Sequence, residues 1–239
     1  VTTYYRRIDT STLNGVKCTA ISNCVTVTVN DVSAGSISAD QTICSGGDPA
    51  AFASDVDGSG SGTITYQWQS STTNCSTGFS SIGGATSSSY DAPSGLTVTT
   101  YYRRIDTSTL NSVKCTATTN CVTVTINDVT AGTISADQTI CSGGDPANMT
   151  STGGSASGTL TYQWQSSTTS CAAGFTSIGG ATSSSYDPPS GLTVTTYYHR
   201  VDTSTLNGVK CTDISNCVTV TINDVSGGTI SADQTICSG

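Results

Sequence analysis

One segment occurs three times in the chain at an almost constant spacing. It begins with two tyrosines at residues 4, 101 and 197, so the steps are 97 and 96 residues long. Each copy is followed by two cysteines and a run in which Val and Thr alternate. A period this regular predicts a tandem array of one domain.

The period divides the 239 residues into four segments. We expect residues 1–31 to be the C-terminal strands of a preceding repeat, and residues 226–239 to be the start of the next one. Residues 32–128 and 129–225 are the two complete repeats, and residues 37–50 and 134–147 are identical. The chain is therefore expected to be a piece of a longer repetitive polypeptide.

The composition predicts an all-β fold. All 16 acidic residues are Asp, and charged residues make up only 10% of the chain, so few segments have a helix-forming composition. In residues 63–69, Ile64, Tyr66 and Trp68 alternate with polar residues, and we expect them to face a core. About seven short strands between Gly and Pro turns predict an immunoglobulin-like β-sandwich of about 97 residues per repeat.

The net charge of −8 and the 11 cysteines restrict the environment of the protein. An acidic surface disfavours nucleic acid and anionic membranes as partners. No apolar run approaches the length of a membrane span, so membrane insertion is not expected. The cysteine content predicts an oxidising compartment, and hence an extracellular location at the cell surface.

Each complete repeat has four cysteines, which allow three pairings. The spacing contains no CxxC and the chain has one His, so a zinc site is not expected. The preferred pairs are Cys44–Cys115 and Cys75–Cys121, with Cys141–Cys211 and Cys171–Cys217 in the second repeat. The main alternative pairs Cys115 with Cys121 and Cys44 with Cys75.

The remaining candidate sites are an active site, a calcium site and a charged cluster. No set of nucleophile, base and acid is present, so we expect neither an enzyme nor a cofactor. Calcium is the candidate metal, because four aspartates flank the predicted junctions; they are Asp31, Asp40, Asp128 and Asp137. The one cationic-aromatic cluster is Tyr101, Tyr102, Arg103 and Arg104. It either alternates within a strand, with an Arg paired to Asp106, or contacts the acidic face of an adjacent chain.

The sequence resembles the Ig-like repeats of giant surface and secreted proteins of Bacteroidetes. The motifs that carry the resemblance are Thr42-Ile-Cys-Ser-Gly46, Tyr66-Gln-Trp-Gln-Ser-Ser71, Gly84-Ala-Thr-Ser-Ser-Ser-Tyr90 and Thr99-Thr-Tyr-Tyr-Arg103. It covers essentially the whole chain. It implies type IX secretion and a role in adhesion, gliding or prey capture by long surface filaments.

We therefore expect a structural or adhesive repeat segment of a giant extracellular filament or stalk. Disulfides would harden the filament, and copies of the chain would bundle side by side. One alternative is a module that binds glycans or cell-surface proteins through the variable loops 51–61 and 74–80. Another is a non-catalytic appendage of a secreted enzyme.

Overall fold

The computed structural model describes residues 2–239, and all the regular structure in that range is β. The chain forms two compact units, residues 1–126 and 127–239. The all-β prediction is confirmed.

The first unit contains strands β1 to β14 and the second contains β15 to β24, except that β14 ends one residue past the boundary between the units. In the first unit the strands are β1 Thr3–Tyr5, β2 Ile8–Leu13, β3 Val16–Ile21, β4 Val25–Val27, β5 Val32–Ser33, β6 Ser36–Ile37, β7 Gln41–Cys44, β8 Ser54–Val56, β9 Ser59–Gly60, β10 Thr63–Ser71, β11 Ser80–Ser81, β12 Thr100–Leu110, β13 Val113–Thr118 and β14 Val122–Asn127. In the second they are β15 Val129–Thr130, β16 Thr133–Ile134, β17 Gln138–Cys141, β18 Ser151–Thr152, β19 Ser155–Ala156, β20 Thr159–Ser167, β21 Thr176–Ser177, β22 Thr196–Leu206, β23 Val209–Ile214 and β24 Val218–Asn223.

The main sheet has the same order in both units. In the first it runs β11-β10-β12-β14-β7, and β13 also pairs with β12. The strand β10 pairs along its whole length with the longer strand β12, from Thr63 opposite Thr109 to Ser71 opposite Tyr101. On its other edge, β14 pairs with the first residues of β12 and β13 pairs with the last. The two ends of β12 therefore lie in different surroundings.

Two-stranded pairs cover the other side of each unit, β5 with β9 and β6 with β8 in the first. Trp68 is fully buried between the layers, and its indole N–H donates to the carbonyl of Ser87 at 2.9 Å. Tyr102 packs beside it, with its ring centroid 5.0 Å from that of Phe52. Ile64 and Tyr66 are half-buried on the same strand as Trp68, as the alternation predicted.

Side-chain amides replace strand pairing where the backbone is irregular. The side chain of Gln41 both accepts from the amide of Ala50 and donates to its carbonyl, each at 2.8 Å. Asn120 makes the same two-way contact with Ile37, at 2.9 and 3.0 Å. A chain rich in short polar residues can thus close a thin sandwich without longer strands.

The two terminal segments carry no core of their own. Every residue from 2 to 21 is exposed, and the pairs β1–β4 and β2–β3 are their only strand pairings. Residues 1–31 contain the equivalents of β12 to β14 but no tryptophan strand to cover them. Residues 226–239 are exposed and form no strand.

Candidate functional site

A buried ion pair lies at the centre of each complete repeat. Along β12 the buried side chains change from apolar to polar, from Tyr102 to Arg104, Asp106 and Ser108. Arg104 and Asp106 have fully buried side chains, and two hydrogen bonds join them, from Nε to Oδ1 at 2.7 Å and from Nη2 to Oδ2 at 3.1 Å.

The rest of the guanidinium is also satisfied. Its Nη1 donates to the carbonyl of Ser88 at 2.6 Å and to the hydroxyl of Ser54 at 2.9 Å. Its carbon lies 4.4 Å from the centre of the Tyr66 ring, in cation–π contact. Asp106 also accepts from the amide of Gly35 at 2.8 Å. A Cβ at Gly35 would collide with the carbonyl of Val56, so the backbone can approach this closely only at a glycine.

The second repeat builds the same site from Arg200 and Asp202, at 2.6 Å. Arg200 also donates to the hydroxyl of Ser151 and lies over Tyr162. The equivalent pair in the N-terminal segment, Arg7 and Asp9, has the same geometry at 2.9 Å, but the two side chains are 79% and 54% exposed. Burial of this pair therefore depends on the complete repeat.

The candidate contact cluster is divided between the two faces of β12. Tyr102 and Arg104 point inward and are buried, so they cannot contact another chain, and that part of the prediction is wrong. Burial, with Tyr90 nearby, raises the pKa of Tyr102 to about 12. Tyr101 and Arg103 point outward and are partly exposed.

Arg103 is held within its own repeat. Its guanidinium lies 3.9 Å from the centre of the Phe79 ring, and its Nε donates to Gln69 at 2.8 Å. In the second repeat His199 takes this place. It stacks on Phe175 at 3.7 Å, and its Nε2 lies 2.7 Å from Oε1 of Gln165. Burial lowers the pKa of His199.

A second site, which we call the linker lock, was missed in the sequence. It consists of Asn30 against Ser108 and Val113 in the first unit, and of Asn127 against Ser204 and Val209 in the second. The side-chain amide of Asn30 donates to the carbonyls of Ser108 and Val113 at 2.8 and 2.9 Å. The hydroxyl of Ser108 donates back to it at 2.7 Å.

Asn127 makes the equivalent three bonds and is fully buried. It donates to the carbonyls of Ser204 and Val209 at 3.1 and 3.0 Å, and it accepts from the Ser204 hydroxyl at 2.5 Å. The next residue continues the attachment, since Ser157 and Asp128 exchange two further bonds. The signal available in the sequence was an Asn-Asp pair at the same place in every repeat, at residues 30, 127 and 223.

The disulfides agree with the sequence analysis in part. Cys75–Cys121 and Cys171–Cys217 are present, each with Cα atoms 5.7 Å apart, and they tie a loop to the start of the last strand. Within residues 2–239, the predicted Cys44–Cys115 and Cys141–Cys211 bridges do not form. Cys115 and Cys141 carry free thiols, whereas Cys44 and Cys211 are disulfide-bonded.

The sheet register explains why the second pairing fails. In the second unit Cys211 lies opposite Ser204, whereas Cys141 lies opposite Asn223 in a parallel pair. The positions of the two cysteines can be compared along β22, because Thr196 of that strand pairs with Val220 of β24. They are about 11 residues apart along the strands, or roughly 35 Å at about 3.3 Å per residue. A disulfide needs Cα atoms within about 7 Å.

The calcium candidates do not converge. Among residues 2–239, no three His, Cys, Asp or Glu side chains lie together as metal ligands. Asp40 and Asp137 instead accept from the backbone amides of Thr123 and Thr219, each at 2.8 Å. Asp31 and Asp128 bind the loops that contain Ser61 and Ser157 through their backbones.

The two variable loops lie on either side of β10 in the sequence, since loop 51–61 precedes the strand and loop 74–80 follows it. Phe52, in the first loop, is buried, with its ring 5.9 Å from that of Trp68. Ser80, in the second loop, pairs with Ser70 near the end of the same strand. As for membrane spans, no helix in residues 2–239 is long and apolar enough to cross a bilayer.

Comparison with solved structures finds other tandem proteins of low identity. The three N-terminal domains of the bacteriophage RB49 outer capsid protein Hoc are 10% identical, with a TM-score of 0.45, over 93% of this chain and 88% of that one. Titin domains A168–A170 are 13% identical, with a TM-score of 0.40, over 93% and 89%. The insect immune protein hemolin is 11% identical, with a TM-score of 0.28, over 84% and 52%. We draw no functional argument from them.

A search of curated proteins found no match. The family model described as "Domain of unknown function (DUF8696)" matches residues 33–128 and 130–224. These two matches cover most of the chain and follow its internal period. The chain therefore belongs to the DUF8696 family and carries two copies of its domain.

Proposed function

We propose that the chain is a structural repeat segment of a giant extracellular filament or stalk that serves surface attachment or the capture of other cells. The linker lock carries this proposal. In both units the asparagine that leads into the repeat makes three side-chain hydrogen bonds to equivalent residues of that repeat. The segment that enters each complete repeat is therefore held to it.

An entry segment that is held to its repeat suits a protein in which each added repeat serves to lengthen the chain. Each repeat in such an array contacts mainly its neighbours, and stability is roughly a sum of repeat and neighbour terms. The Cys75–Cys121 and Cys171–Cys217 bridges support an oxidising, extracellular location at the cell surface. Secretion by the type IX route of Bacteroidetes rests on the resemblance of the repeats alone.

We further propose that chains associate side by side, with Tyr101 and Arg103 on the outer face of β12 at the contact. The acidic residues of a second chain would be the complement of Arg103, since the net charge is −8. Tyr101 recurs as Tyr197 at the spacing of the repeats, so weak contacts made by this face would add along the chain.

Sedimentation velocity of the oxidised chain at low and high salt tests this association. We expect complexes at low salt that dissociate as salt screens the charges, and that weaken when Tyr101 and Arg103 are replaced by Ser. The matched control replaces the exposed Val113 by Ser, on the β12–β13 hairpin. A monomer at every salt concentration would contradict side-by-side association and leave an isolated stalk.

A further inference from the structure

The free cysteines of the two complete repeats have well-defined places in the fold. Cys115 lies in the β12–β13 hairpin, opposite Ser108. Its sulfur is 3.5 Å from the carbonyl oxygen of Asn30, the residue that forms the linker lock of that repeat. The hairpin cysteine thus faces the chain segment that enters the repeat.

Cys141 lies at the other end of its repeat. It closes β17, and the parallel register places it directly opposite Asn223 at the end of β24. Asn223 occupies the same place in the repeat as Asn30, since each follows the alternating Val/Thr strand and precedes an Asp. The strand cysteine thus faces the segment that leaves the repeat.

These two observations meet at one position. Asn223, at the end of a repeat, lies beside the strand cysteine of its own repeat, at the spacing of neighbouring strands, about 4.8 Å. Asn30, at the equivalent position, lies beside the hairpin cysteine of the repeat that follows it. An asparagine that makes both contacts has the two cysteines as neighbours. A disulfide closes between them when their Cα atoms come within about 7 Å.

We propose that Cys115 forms a disulfide with the strand cysteine of the repeat whose last strands are residues 1–31. Cys141 correspondingly forms a disulfide with the hairpin cysteine of the repeat that starts at residue 226. The inference rests on the proposed array of further repeats. It adds that the array is covalently cross-linked at its junctions.

The bond forms by thiol–disulfide exchange. The thiolate of one cysteine attacks a disulfide oxidant of the oxidising compartment and gives a mixed disulfide. The second thiolate then displaces the oxidant, which leaves as a dithiol with the electron pair. The two protons lost by the cysteine thiols are taken up by the two sulfurs of the oxidant, and one sulfur–sulfur bond is made for the one that is broken.

The test adds one repeat. A second copy of residues 129–225 is joined after residue 225, and the oxidised protein is alkylated without reduction. Intact mass then gives the number of free thiols. Cys141 is exposed, so Cys141→Ser should leave the repeat folded.

In the chain of residues 1–239, Cys141→Ser should lower the number of alkylated cysteines by one. In the extended chain it should raise that number by one, because it frees the hairpin cysteine of the added repeat. Replacing that added cysteine by Ser is the matched control, and it should expose Cys141 and also raise the number by one.

A decrease by one in the extended chain would overturn the inference, since it would show that Cys141 stays free with a repeat after it. That result would not bear on the proposed filament, because an array without junction bridges can still form fibres. Conversely, a bridged junction in a protein that forms no fibres would refute only the proposed function.

Discussion

Replacing Asp106 by Asn tests the buried ion pair most sharply. The substitution keeps the size of the side chain and removes its charge. Arg104 then remains fully buried without a counter-charge. The asparagine oxygen can accept from one of its two donor groups, while the new NH2 faces another donor, either Arg104 or the amide of Gly35. An uncompensated charge in a dry interior is one of the most costly defects a domain can carry.

The expected size follows from the geometry. The pair has two hydrogen bonds and no solvent exposure, so the removal of one partner should cost about 3–5 kcal/mol of unfolding free energy. For a domain of about 100 residues, each kcal/mol lowers Tm by about 4–8 °C. Asp106→Asn should therefore lower the melting temperature of the first repeat by at least about 12 °C.

Differential scanning calorimetry of the oxidised chain measures this directly. Asp202→Asn should produce the same loss in the transition of the second repeat, and the double variant should lower both transitions. Asp9→Asn is the matched control, because Asp9 pairs with Arg7 in the same geometry but in solvent. It should leave both transitions unchanged, as exposed pairs contribute little.

A fall in melting temperature of less than about 4 °C for Asp106→Asn would refute this reasoning. It would correspond to less than about 1 kcal/mol. Another group would then have to compensate the charge of Arg104 in the folded repeat, or water would have to reach it.

Three further predictions concern the linker lock, the disulfides and the histidine. Asn127→Ala should destabilise the second repeat by about 2–4 kcal/mol in urea unfolding, because it leaves the Ser204 and Val209 carbonyls without their donor. An unchanged urea midpoint of that repeat would contradict the linker lock. The double variant Cys75→Ser, Cys121→Ser should lose about 4 kcal/mol of unfolding free energy on the loop-closure model for a separation of 46 residues. An unfolding free energy equal to that of the oxidised wild-type protein would contradict this. Burial lowers the pKa of His199, so below about pH 6.5 the unfolded chain binds a proton that the folded repeat does not. The stability of the second repeat should therefore be fully present above about pH 6.5 and should fall as the pH drops below it. His199→Arg, which restores the residue of the first repeat, should remove the difference between pH 7.5 and pH 5, and an equal acid sensitivity in both proteins would refute the assignment to His199.

The strands could be predicted because apolar and polar residues alternate along them, and every second side chain faces the core. Ile64, Tyr66 and Trp68 alternate with polar residues and lie on the predicted face. The same period predicted that an Arg of β12 could pair with Asp106. It could not show that this pair is completely buried, since that depends on loops that close over it, such as the segment around Gly35.

Cysteine pairing was only partly accessible from the sequence. Cys75 lies in a loop next to the last strand, and its bond to Cys121 follows from that neighbourhood. The failed pairings assumed that first and last strands bring all remaining cysteines together. The register places Cys141 and Cys211 at opposite ends of the sheet, and one-dimensional spacing does not specify which end a strand reaches.

The linker lock could have been suspected, because a repeated Asn after a Val/Thr strand has no reason to persist on a solvent-exposed turn. Its partner Ser108 likewise recurs as Ser204. What the sequence lacks is the information that these two residues meet across nearly 80 positions. Long-range contacts between short polar residues leave no periodic signal.

Electron microscopy of the native, unreduced protein at the cell surface tests the central claim most directly. A structural array predicts long filaments with an axial repeat set by the 96- to 97-residue period. Thick bundles would support side-by-side association, and thin single filaments would support a stalk. Compact particles without any axial repeat would contradict the account, because length would then not be the property that the repeats provide.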